Sequence, residues 1–90
     1  MDIKIGLVVK SAAGHDKGSF MVITAVEDDF VFLADGKHRK LASPKKKRIK
    51  HLKLTNTAIN TANLTDKALR SILREYSEGL GTKHNLNQNV

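Results

Sequence analysis

The sequence predicts a mainly β domain, a small five-stranded barrel or sandwich, followed by one C-terminal α-helix. Three observations point there. Between Ile3 and Leu54, short apolar or β-branched segments alternate with turn-forming clusters, the spacing of small all-β folds. No interval before residue 55 is long enough for the crossover helix that joins parallel strands. Beyond residue 64 the apolar residues recur at helical spacing instead.

The elements follow in order. Ile3 to Ala12 is apolar and β-branched at its centre, Leu7-Val8-Val9. Ala13-Gly14-His15-Asp16-Lys17-Gly18 is a tight connection, because glycine reaches positive φ without steric cost. Phe20 to Val26 is a second strand, apolar at both parities, which implies cover on both of its faces. Glu27-Asp28-Asp29 is a solvated turn, and Phe30 to Leu33 a third strand. Asp35-Gly36 signals a hairpin. Leu41 and Ala42 are placed on a short fourth strand ending at Pro44, which cannot donate to a ladder, and Ile49 to Leu54 on a fifth.

Thr55 to Asn63 is polar and reads as a connection. Thr65 supplies a capping hydroxyl and Asp66 an acid in the first helical turn. Ala68, Leu69, Ile72, Leu73 and Tyr76 form an apolar stripe, and Gly79 is a stop signal. A helix this short is marginal alone, so the stripe must dock on the strands. The expected division is a barrel over 1–56, a linker and packed helix over 57–80, and a flexible tail over 81–90.

Composition narrows the function. The 90 residues contain no cysteine, so neither a disulfide nor a thiolate metal site is available. The first residues lack the apolar stretch of a signal peptide, and no apolar run approaches the roughly 20 residues that span a bilayer. The expectation is a cytoplasmic protein with no membrane association. The four histidines show no ligand spacing. Ser11, His15 and Asp16 lie too close in sequence to define a triad. No enzyme activity, metal, cofactor or small-molecule substrate is expected.

The charge is the most directive feature. Between Lys37 and Lys53 lie nine Lys/Arg residues and no acid, whereas residues 1–36 carry a net charge of −3 and residues 54–90 a net of +1. The chain's +7 is therefore local. A localised positive field is the footprint of a surface that meets a polyanion. Lysines on an edge strand also block aggregation, but that role needs no run of adjacent cations. Pro44-Lys45-Lys46-Lys47-Arg48-Ile49-Lys50 resembles a short nuclear import signal as well. Ile49, Leu52 and Leu54 place the run in a folded strand instead. Lys67, Arg70 and Arg74 form a basic helical stripe, which extends the same surface if the helix packs beside the closing strand.

The segment from Ile5 to Ile23, with Gly6-Leu7-Val8-Val9, the loop Gly14-His15-Asp16-Lys17-Gly18 and the strand Phe20-Met21-Val22-Ile23, resembles a KOW motif. Lys46-Lys47-Arg48-Ile49-Lys50-His51-Leu52-Lys53-Leu54-Thr55 is similar to the closing strand of large-subunit ribosomal proteins of the L-fourteen-e type, for which bacteria have short KOW-domain homologues. The resemblance covers residues 3 to about 56. It implies an SH3-like barrel and a monomeric RNA-binding protein of the translation ribonucleoprotein, associated with the ribosome and contacting structured ribosomal RNA. The expected RNA-binding residues are Lys10, Ser11, Gly14, His15 and Lys17 around the loop, Lys37, Arg39 and Lys40 in the hairpin, and Lys45, Lys46, Lys47, Arg48, Lys50 and Lys53 on the closing edge.

The alternative is a KOW-type protein-interaction module of the transcription or translation machinery, using the apolar face near Phe30 and Phe32. On the RNA reading, reversing the charge of Lys46, Lys47 and Arg48 together is expected to abolish RNA binding and leave the fold intact.

Overall fold

The computed structural model describes residues 3–15 and 17–78. Its elements are β1 (Leu7–Ser11), β2 (Phe20–Glu27), β3 (Phe30–Ala34), β4 (Lys45–Arg48), a 3-10 turn (Ile49–His51), β5 (Leu52–Ala58) and α1 (Asp66–Ser77). The five strands form one antiparallel sheet in the order β4-β3-β2-β1-β5, so β4 and β5 are its edges. The proposed stop at Gly79 and tail over 81–90 lie outside the described residues.

Side chains alternate across a strand, and here both alternations are apolar. Leu7, Val9, Met21, Ile23, Val31 and Leu33 share one face, with Ile49, Leu52 and Leu54 packed against them. Val8, Val22 and Ala34 share the other, beneath Leu69 and Leu73 of α1. The apolar character of β2 at both parities thus has the double cover it implied.

The first face buries itself by curling. Register shifts fall in β2 between Ile23 and Ala25, and in the β1–β5 pairing between Leu7 and Val9. Such bulges bend a strand and increase its twist. The curl is large. In a flat sheet β4 and β1 would stand about 14 Å apart at the usual strand spacing, yet Lys47 of β4 hydrogen-bonds Ser11 of β1.

The helix starts as the sequence indicated. Thr65 has extended backbone and its hydroxyl accepts from Ala68 N at 3.1 Å. Leu69 and Leu73 are buried, and Tyr76 meets Phe20 edge-to-face with centroids 5.1 Å apart. Ala68 is exposed and stands outside the docked stripe.

Three boundaries differ from expectation. Leu41 and Ala42 lie in a turn, and the fourth strand is Lys45–Arg48, the cationic tetrapeptide itself. Lysine and arginine carry little strand propensity, so pairing with the apolar β3 decides the matter. Leu41 instead packs under α1, and its N–H donates to Asp66 Oδ1 at 2.8 Å. The fifth strand begins at Leu52 rather than Ile49 and runs on to Ala58, through Thr55 and Thr57 of the supposed connection. β-branched threonines suit a strand, and Thr55 Oγ1 donates to Val8 O at 2.6 Å.

Asp35-Gly36 is not a two-residue hairpin turn but the start of a longer loop between the paired strands β3 and β4. Asp35 Oδ1 accepts from Lys37 N and Arg39 N, each at 2.8 Å. Gly36 has φ +80°, and a Cβ there would run into the Asp66 carbonyl and press on Arg70. Helix and loop therefore touch through a position that only glycine fills comfortably. Gly36→Ala is expected to destabilise the protein by more than about 1 kcal/mol, read from urea unfolding.

Candidate nucleic-acid interface

Strand alternation divides the cationic tetrapeptide. Phe30 pairs with Arg48 and Phe32 with Lys46, so those four share a face, while Val31 pairs with Lys47 on the other. Lys46 Nζ lies 4.6 Å from the Phe30 centroid and 5.9 Å from that of Phe32, and the Arg48 guanidinium 4.9 Å from Phe30. The rings attract the cations and hold them flat against the sheet. Lys46 also meets Glu27 Oε1 at 2.9 Å, with both side chains about half exposed. An exposed pair of this kind contributes only about 0–1 kcal/mol, so a phosphate can displace the carboxylate.

Lys47 points inward. It is 8% exposed, and its Nζ donates to Ser11 Oγ and to Ala13 O, each at 2.7 Å. Ser11 is 1% exposed, and its hydroxyl donates to Ala13 O at 3.1 Å. Neither side chain presents itself to solvent, which corrects their placement on the binding surface. Both were assigned by residue type, and only the pairing register reveals the inward parity. Together they anchor the β1–β2 loop from within. Ser11 N donates to Ser19 O and Gly18 N to Ser11 O, and the loop leaves Gly14, His15 and Lys17 exposed.

The remaining cations separate into distinct places. Lys50 is exposed on the 3-10 turn, where it lines a small cavity with Asp29, Arg48 and Ile49. Lys10 and Lys53 are exposed and directly opposite each other in the β1–β5 register. Like charges so placed oppose folding. Lys10 relieves part of that by lying over Phe20, 5.5 Å from its centroid. Lys37 and Lys40 are exposed beyond the end of β3, Arg39 is half-buried, and Lys45 is half-buried on the inward parity of β4.

Lys37 and Lys40 face Lys67, Arg70 and Arg74 of α1 across an open groove. The helical stripe is thus brought to the hairpin cations rather than to β4, so the contiguous run in sequence is not one surface in space. Among the described residues no group of three or more His, Cys, Asp or Glu stands close enough to hold a metal, and no helix is long and apolar enough to cross a membrane. No protein-family model and no curated protein matches the chain.

The inward lysine changes what a charge-reversal experiment measures. A carboxylate at position 47 would face the Ser11 hydroxyl and the Ala13 carbonyl, so the triple reversal over 46–48 is expected to unfold the protein. Lys47→Met keeps the aliphatic stem and removes a charged donor from two acceptors. It is expected to cost about 1–3 kcal/mol in urea unfolding.

Proposed function

We propose that this protein is a KOW-type RNA-binding protein with an SH3-like barrel, which associates with the ribosome by gripping the phosphate backbone of structured RNA. The observation that carries the reading is the outward display of Lys46 and Arg48 over Phe30 and Phe32 on an edge strand with no apolar residue of its own. Lys50 continues that edge. Lys53 is exposed on the opposite edge strand, β5. Arg48 supplies a planar fork for two phosphate oxygens, while the lysines act as mobile point charges. The segment resembling a KOW motif folds as one strand–loop–strand unit, with Gly14, His15 and Lys17 exposed at its tip.

Readout through backbone and shape fits better than base stacking. The four aromatic rings are all half-buried, and each meets either a cation or another ring. Single-strand recognition usually displays open rings. The same capping disfavours the protein-interaction alternative, because Phe30 and Phe32 offer no bare apolar face.

Affinity for a structured RNA should fall steeply with salt, with a log–log slope of about 0.7–0.9 per phosphate contacted. The Lys46→Glu/Arg48→Glu double variant should fold normally by circular dichroism, bind about tenfold or more weakly, and show a shallower slope. Unchanged affinity and slope would sink the reading. Ribosome co-sedimentation with and without RNase treatment separates it from the protein-interaction alternative, which survives RNase.

A further inference from the structure

The groove beside α1 gathers six cations from three separate parts of the chain: Lys10 of β1, Lys37 and Lys40 of the β3–β4 loop, and Lys67, Arg70 and Arg74 of the helix. Phe20 and Leu73 lie between them. Among the described residues none of the six has a carboxylate within ion-pair distance. Asp35, the one acid in the lining, is already engaged by the N–H groups of Lys37 and Arg39.

The groove is built by specific contacts. Arg70 Nη1 donates to Gly36 O at 2.7 Å, Leu41 N donates to Asp66 Oδ1, and the helix rests on the loop at Gly36. These bonds fix the helical stripe opposite the loop cations. Lys67 to Arg74 rises about 10 Å along the helix axis, long enough to follow an extended backbone rather than one isolated anion.

The groove is also separate from the β4 face. Ala34, the last residue of β3, lies beneath the helix. The groove's loop begins immediately after it, whereas Phe32 and Phe30, with Lys46 and Arg48 above them, lie two and four residues before it. We propose that the groove is a second phosphodiester-backbone site, so that one molecule holds two RNA segments on opposite sides of α1. This rests on the RNA reading of the β4 face and adds a cross-linking role to it.

The test uses a stable RNA hairpin of mixed sequence at low salt, with stoichiometry from sedimentation equilibrium. The unaltered protein should bind two hairpins. Lys67→Gln/Arg74→Gln, which changes only exposed helical positions, should bind one, as should Lys46→Glu/Arg48→Glu. Each variant should bind at least about tenfold more weakly to an RNA that can reach both sites. Two hairpins still bound by the groove variant, or one by the unaltered protein with no effect of the groove substitutions, would overturn the second site and leave the first standing. No hairpin bound by the unaltered protein would overturn the RNA reading itself. Preferential capture of a polyglutamate peptide, lost in the groove variant, would overturn the proposal in favour of an acidic protein segment.

Discussion

A sheet that is apolar on both faces must be covered twice, and the described residues hold only one α-helix with which to do it. Val8 and Val22 commit one face to α1, while Val9, Met21 and Ile23 commit the other to something else. The sheet supplies that cover itself by curling, so that Ile49, Leu52 and Leu54 from its far end close over the inner face. Curling leaves β4 as an edge close to β1 across the interior, and Lys47 ties the two. An edge so held can carry unfavourable strand residues, because its position is fixed by core packing and one internal lysine rather than by its own propensity.

That arrangement explains how a tetrapeptide of cations becomes a strand at all. Four adjacent like charges oppose compaction. Here alternation sends Lys46 and Arg48 to one side, onto aromatic faces, and Lys47 to the other, onto a hydroxyl and a carbonyl. Those three charges each find an electron-rich partner, and Lys46 meets the Glu27 carboxylate as well. The outward cations keep one side open to an anion. The inward one has no spare direction.

Much of this was legible in the chain. The strand count, the double-faced β2, the Thr65 cap and the docking stripe of α1 follow from local chemistry and periodicity. The fourth strand was not, because its pattern of cations says nothing about β pairing until Phe30 and Phe32 are known to lie opposite. The parity of Lys47 was hidden for the same reason, since a shift of one residue would turn it outward and Lys46 inward. The groove was half legible: the helical stripe stands out at three- and four-residue spacing, but its partners 30 residues earlier are chosen by the close approach at Gly36.

The carboxylates complete the electrostatic argument. Segregating acids from bases onto different faces is not what this fold does, since Glu27 stands beside Lys46. Near the groove a different device operates. Asp35 and Asp66 direct Oδ1 at backbone N–H groups, of Lys37 and Arg39 in one case and Leu41 in the other. A carboxylate engaged with backbone donors still lowers the local potential, but it orders the loop without pinning any lysine head. Asp35 and Asp66 thus act as loop braces, with Asp35 Oδ2 also 4.0 Å from His38 Nδ1, whereas Glu27 pairs with Lys46 where the pair is exposed and easily exchanged. A basic groove whose Asp35 and Asp66 brace the backbone through Oδ1 is preorganised for an anion, and Arg70, already fixed on Gly36 O, helps to hold its shape.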